Sequence, residues 1–324
     1  MNWAELHAGS TRETYRRVLL ELARADERIV CVDSDTGGLA DTFGAELPLR
    51  YINVGIAEAH LLSLSAGLAS TGLIPFANTM SAFATARAAE QLRNDVAAAG
   101  LSVRIVGSHG GLSAGHYGPT HHAPADLAVL RTMPNLTVLV PADTVETAYA
   151  VRASVQLPGP VFIRLGRSPT PLVYREPYPF TVGRAVELAA GNEVTLIATG
   201  PLPVGLALAA RTSLSRQGIS ARVLNMHTIS PLDEAAVLRA ARETAGIVTV
   251  EDHLVAGGLG GAVCEAVCAA APCPVARMGA ATAHMDQVGD ESELLALAGI
   301  TEERIVQAAV RLVSPENRRA DQRS

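Results

Sequence analysis

Short runs of β-branched and aliphatic residues recur along the first half of the chain. Longer stretches separate them, in which apolar positions return every three or four residues. The runs are RIVCVD (28–33), RYINV (50–54), SVRIVGS (102–108), LTVLV (136–140) and PVFIRL (160–165). Between them the spacing predicts helices over about 12–25, 56–70, 82–98 and 143–155, with Ala57, Leu61, Leu64 and Leu68 as a core-facing stripe on the second. The runs are apolar throughout rather than alternating, which suits a parallel sheet covered by helices on both faces. The segment SPTPLVYREPYPF (168–180) then brings four prolines together, more than a helix or a central strand tolerates. Beyond it the alternation restarts, with strands at 193–200, 221–226, 246–252 and 274–279 and helices at 203–217, 232–243, 258–271 and 301–313.

This pattern predicts an α/β protein of two doubly wound domains. The larger spans residues 1–170, a Pro-rich linker covers 171–184, the smaller domain spans 185–314, and 315–324 form a polar tail. Composition agrees: 324 residues with 48% hydrophobic and 18% charged content supply two cores and give no sign of disorder. A formal charge of −6, with no basic stripe, argues against nucleic acid as a partner. Cys31, Cys264, Cys268 and Cys273 form no CxxC pair and read as small buried hydrophobes in a reducing compartment. No apolar run is long enough for a bilayer and the first residues do not resemble a signal peptide, so a cytoplasmic location is expected.

Two short stretches draw attention as chemistry. In NVGIAEAH (53–60) a glycine ends a strand and a helix begins at once, which puts Glu58 in its first turn. An acid there complements the helix dipole, yet it also stands at the carboxyl end of a parallel strand, where open α/β sheets bind ligands. In GSHGGLSAGHYGPTHHAP (107–124) four of the nine histidines, His109, His116, His121 and His122, fall among glycines. A metal site, a buried polar cluster and an active-site wall are all compatible with that density. Metal spacings such as HExxH or CxxC are missing from it.

Taken in order, NVGIAEAH, NTMSAFATARAAEQLR (78–93), GSHGGLSAGHYGPTHH, MPNLTVLVPAD (133–143) and PVFIRLGR (160–167) resemble the pyrimidine-binding domain of transketolases and 1-deoxyxylulose-5-phosphate synthases. HTISPLDE (227–234) and VTVEDHLVAGGLGG (248–261) are similar to the C-terminal domain of the same family. The resemblance implies thiamine diphosphate as cofactor, bound between a pyrimidine-binding domain and a diphosphate-binding domain that carries the Mg2+ ligands. The chain shows no GDG-type segment followed by asparagine, the mark of the diphosphate domain. It therefore looks like the C-terminal subunit of a split transketolase, moving a two-carbon ketol unit between a ketose-like donor and an aldose-like acceptor. No metal ligands are expected in this chain. The other half is expected on a separate subunit in an α2β2 assembly, with self-association of this chain as a homodimer.

The same resemblance distributes roles. Glu58 falls where an acid hydrogen-bonds N1′ of the pyrimidine and makes the 4′-amino group basic enough to take the C2 proton. Phe83 falls where a ring stacks on the pyrimidine, while Met80 and Ala89 replace aromatics; Ile56 and Asp35 complete the cofactor wall. His109 and His121 match histidines facing the reacting carbons and the donor, and Arg12 and Arg167 match the grip on a sugar phosphate, with Arg164 as a neighbouring candidate. Transketolases usually carry a Glu-Asp pair before Gly-Pro-Thr-His, the aspartate recognising the donor's C2-hydroxyl; here the pair is His116-Tyr117. Donor recognition is thus altered. A 2-oxo acid donor, decarboxylated as in deoxyxylulose-phosphate synthases or ketoacid dehydrogenase β-subunits, is the competing enzyme reading. A non-catalytic scaffold on the same fold is the competing class, and the presence of Glu58 weighs against it. His122 is expected only to pack beside His121.

Overall fold

The computed structural model describes residues 9–281 and 286–314, so the expected polar tail at 315–324 lies outside the described residues. The first sheet is built from β1 (Ile29–Asp33), β2 (Tyr51–Asn53), β3 (Ile74–Met80), β4 (Arg104–Ser108), β5 (Thr137–Leu139) and β6 (Val161–Arg164). The second comprises β7 (Val186–Ala189), β8 (Val194–Thr199), β9 (Ala221–Asn225), β11 (Ile247–Leu254) and β12 (Val275–Ala280). A short strand β10 (Thr228–Ser230) leaves the second half of the chain and joins the first sheet, antiparallel to β5. The orders are β10-β5-β6-β4-β3-β1-β2 and β12-β11-β8-β9-β7, parallel throughout apart from the β10 and β7 edges. The helices α1 (Thr11–Ala25), α2 (Glu58–Ser70), α3 (Asp126–Leu130) and α4 (Thr144–Gln156) accompany the first sheet, and α5 (Pro201–Arg216), α6 (Glu234–Glu243), α7 (Leu259–Ala270), α8 (Glu291–Leu297) and α9 (Glu302–Val313) the second.

Strand β3 was not expected from the sequence, because Pro75 and Asn78 interrupt its apolar run. It nevertheless runs through the middle of the first sheet, paired with β1 and β4. Proline lacks the ladder N–H and usually sits at an edge. Asn78 is buried because its amide donates to the Val32 and Phe76 carbonyls at 3.0 and 2.8 Å and its oxygen accepts from the Tyr15 hydroxyl. The helix expected over 82–98 is two π-helical segments, Phe83–Arg87 and Leu92–Ala98, around one α-turn at Ala89–Gln91. Such widened turns recur at functional sites. On α2 the buried face is Glu58, Leu61, Leu62, Ser65 and Ala66, while Leu64 and Leu68 are half-buried. Cys31 is buried as expected, whereas Cys268 is exposed. No helix among the described residues is long and apolar enough to cross a membrane.

The parts meet through polar joints as well as packing. A two-residue ribbon pairs Gly9 and Ser10 with Thr170 and Pro169 and so brings the start of α1 beside the end of β6. Glu146, buried at the start of α4, accepts from Asn225 of β9 at 2.9 Å and from the Tyr174 and Tyr178 hydroxyls at 3.0 and 2.8 Å. Burial is the main cause that pushes its carboxyl above the usual range. The Pro-rich segment thus docks between α4 and β9 through its tyrosines.

Candidate active site

Seven of the residues singled out above stand at or just past the carboxyl end of a strand of the first sheet, where open parallel sheets bind ligands. Asp35 follows β1, Ile56 and Glu58 follow β2, Met80 and Phe83 end or follow β3, His109 follows β4, and Arg167 follows β6. Arg12 reaches the same rim because the Gly9–Ser10 ribbon and the Thr11 hydroxyl, which donates to the Gly166 carbonyl at 3.3 Å, hold the head of α1 there.

Glu58 is 2% exposed and lines a cavity of about 370 Å3 together with Asp35, Ile56, Met80, Phe83 and His121. Its Oε2 accepts from Arg87 Nη1 at 2.7 Å, and the same guanidinium lies 4.3 Å above the Phe83 ring. The His121 ring meets Phe83 edge-on at 5.2 Å. Asp35 has φ 63° and accepts from Asn53 Nδ2 at 3.2 Å, while Asn53 Oδ1 accepts from the Gly55 N–H at 2.8 Å. One asparagine therefore shapes both the Asp35 turn and the turn that leads into Glu58. Arg87 and Asn53 were not anticipated. The available signal was the four-residue step from Phe83 to Arg87 in a segment expected to be helical.

Tyr117 and His121 connect this cavity to the rest. Tyr117 is half-exposed, its ring centroid 5.4 Å from His121 and 5.8 Å from His109, with the Arg167 guanidinium 4.9 Å above it. His109 is buried at φ 57° and its Nδ1 is paired with the Ser108 hydroxyl at 2.9 Å. Burial, then the positive charges of Arg12 and Arg167, lower its pKa to about 3, so the imidazole is neutral near pH 7. Burial likewise lowers the Arg12 pKa.

His116 and Arg164 stand elsewhere, and His122 packs as expected. His116 turns away and meets Asp290 at 3.1 Å, both side chains exposed. His122 is buried with Nε2 at 3.3 Å from the Gly115 carbonyl, a packing neighbour. Arg164 is buried, donating to Asp126 at 2.8 Å and to the Asp252 carbonyl at 2.7 Å, so it is a structural cation rather than a second grip on substrate. Among the described residues no group of three or more His, Cys, Asp or Glu is placed to hold a metal.

Residues 7–171 match the transketolase pyrimidine-binding domain and residues 183–305 the transketolase C-terminal domain. The chain belongs to the transketolase family. Among transketolase relatives, a 6-deoxy-6-sulfo-D-fructose transketolase subunit of Clostridium sp. (strain MSTE9) is 40% identical over 94% of this chain and 95% of its own length. One subunit of an apulose-4-phosphate transketolase of Phocaeicola vulgatus is 39% identical over 93% and 97%. A solved split-gene transketolase, described as an inactive β4 tetramer, superposes with a TM-score of 0.85 at 37% identity, covering 94% of this chain and 98% of that one. This chain is a transketolase-type subunit, and its family uses thiamine diphosphate. The residues present fit that cofactor: a buried carboxylate faces a cavity walled by a ring, and a planar cation already makes both the stacking and the hydrogen-bonding contact.

Proposed function

We propose that this chain is the C-terminal subunit of a two-component transketolase, and that it transfers a two-carbon ketol unit only with a separate subunit carrying the diphosphate and Mg2+ site. The observation that carries this reading is the continuity of the site, from buried Glu58 through Phe83, His121 and Tyr117 to His109 and the Arg12–Arg167 pair. Support also comes from relatives that are themselves subunits and that this chain covers over nearly their full length. We read residues 1–170 and 185–314 as the two domains, 171–184 as their linker, the assembly as α2β2, and the location as cytoplasmic. The β4 state of the structural relative is in keeping with self-association of the chain.

Thiamine diphosphate, when bound, supplies a carbon nucleophile at C2 of its thiazolium. Glu58 would hydrogen-bond N1′, Phe83, Met80 and Ile56 would wall the pyrimidine, and Asp35 would line its edge. Neutral His109 can take one proton from a donor hydroxyl and return it, and His121 can hydrogen-bond a donor oxygen. Arg12 and Arg167 would hold an anionic tail by charge-assisted hydrogen bonds. The names of the relatives, with a sulfofructose in one and apulose 4-phosphate in the other, favour substrates with such a tail. Tyr117, a hydrogen-bonding ring where an acid is usual, is the specific observation that keeps a 2-oxo acid donor as the second reading.

The test is reconstitution with the diphosphate-binding subunit, supplying a ketose phosphate, a sulfoketose or pyruvate and following both transfer product and carbon dioxide. Transfer without carbon dioxide supports the proposal. Carbon dioxide release from the 2-oxo acid alone would replace it with the second reading.

A further inference from the structure

Strand β11 of the second sheet ends in Asp252, His253 and Leu254, and each grips a different point of the two segments that carry His109 and His121. Both carboxylate oxygens of Asp252 accept from the Leu112 N–H at 3.0 Å. His253 Nε2 accepts from the Ala128 N–H at 3.2 Å, and the Leu254 N–H donates to the Pro124 carbonyl at 2.7 Å. The two segments are tied together where the Ala123 N–H donates to the Gly111 carbonyl, also at 2.7 Å.

The histidine turn is closed locally where the Ser113 N–H and hydroxyl donate to the Gly110 carbonyl at 3.1 and 2.6 Å. It is hung on the end of β6 where the Gly110 N–H donates to the Leu165 carbonyl at 3.0 Å. Beyond Gly110 it is the Asp252 carboxylate that holds the Leu112 N–H. His109 and Gly111 both have positive φ, and for histidine that conformation persists only where its surroundings impose it. Around it the fit is tight: a side chain at Gly110 would run into Arg164, and one at Gly111 into the Asp252 carboxylate. Asp252 is 5% exposed and shares its surroundings with the buried carboxyls of Asp126 and Glu291 and with the Arg164 guanidinium. Apolar packing would join two domains at lower cost than a buried acid among acids. Arg164 offsets its charge, but the hydrogen bonds of both carboxylate oxygens go to one backbone N–H, which makes sense where the position of that N–H matters.

We propose that Asp252 is a positioning residue: through the Leu112 amide it fixes the turn that aims His109 at the donor, so the C-terminal domain governs donor chemistry without touching the donor. The proposal rests on the reading of His109 and His121 as donor-facing, and it is independent of how the cofactor is held at Glu58.

The test compares D252A, D252N and H109A. Amide exchange of residues 109–113 is measured on the full chain, and donor kinetics and thiamine diphosphate affinity on the complex with its partner subunit. D252A is expected to speed exchange at Leu112 at least tenfold and to lower donor kcat/KM at least tenfold, with cofactor affinity within twofold of the parent. D252N keeps one acceptor oxygen and is expected to retain at least a third of the donor kcat/KM. If D252A does not fold, G111A carries the same test, because it leaves the acid intact but pushes the turn off it. Faster exchange with donor kinetics unchanged would overturn the proposal. So would equal loss of cofactor binding and donor turnover, which marks general damage. H109A separates the two layers: if it leaves donor kinetics unchanged the reading of the site fails, and if it abolishes them while D252A does not, only this inference fails.

Discussion

Arg87 makes two contacts that a bound pyrimidine would need, the hydrogen bond to Glu58 and the face of Phe83. For the ring to take its place, the guanidinium must leave. The charge-assisted bond has one end buried and the other half-exposed, with Arg87 49% accessible, so its net worth is discounted to about 1 kcal/mol. The stacking of a partly solvated cation on phenylalanine adds about 0.5 kcal/mol. Breaking both therefore costs about 1.5 kcal/mol, close to one decade in affinity. Replacing Arg87 by alanine is expected to tighten thiamine diphosphate binding by roughly tenfold, as titration calorimetry on the two-subunit complex would read. R87K should fall between, because an ammonium pairs with the carboxylate but does not lie flat on the ring. The same substitution to alanine leaves a buried carboxylate without its cation, so the chain alone should melt earlier. Tenfold weaker cofactor binding by R87A would refute the reasoning and place Arg87 among the groups that hold the cofactor.

Truncating Arg12 or Arg167 to alanine should raise KM for an anionic donor by about tenfold each, with kcat less affected and the KM increasing with salt in the parent; a neutral donor that suffers equally would argue against an anion grip. Removing Glu146 takes an acceptor from the Ala142 N–H, the Asn225 amide and two tyrosine hydroxyls and leaves only the Asn225–Tyr174 bond at the joint, so E146A should cost about 3 kcal/mol in a urea melt, and a loss under about 1 kcal/mol would show that the joint is not carried there. Stability should fall as pH rises from about 6.5 to about 8.5: burial raises Glu251 to about 7 and also raises Glu291, so the folded chain holds protons there that the unfolded chain has already lost. His109 and His227, lowered to about 3 and about 4, act below about pH 6.5, where the unfolded chain takes up protons the folded one refuses. Chemical melts across this range should show the alkaline decline, shallower in E291Q; an unchanged slope in that variant would contradict the assignment.

Much of this arrangement was legible in the chain, and what escaped has physical causes. Apolar runs such as IVCV and VFIR announced buried parallel strands because every side chain in them meets a helix layer. IPFANTM did not, since a proline and an asparagine in a central strand are admissible only when partners from elsewhere, here Val32 and Tyr15, satisfy the amide. Glu58, Phe83 and His109 could be brought to one rim from short words in order, because each stands a few residues past a strand end, and His121 joins them from the loop after β4. Arg87, Asn53 and Asp252 could not, since their roles arise from contacts across loops or between sheets that no local spacing records. Arg164 was misjudged for the converse reason. Its neighbour Arg167 lies on the open rim beside Tyr117, whereas Arg164, three residues earlier on β6, faces the acids Asp126 and Asp252 in the interior.

The central claim is that Glu58 activates the cofactor, and solvent exchange of the thiamine diphosphate C2 proton in the assembled enzyme measures that without any substrate. With Glu58 replaced by alanine or glutamine, and cofactor saturating, the exchange rate should drop by about a hundredfold or more, the scale of a lost general acid–base partner. An exchange rate unchanged from the parent, with the cofactor still bound, would contradict the account.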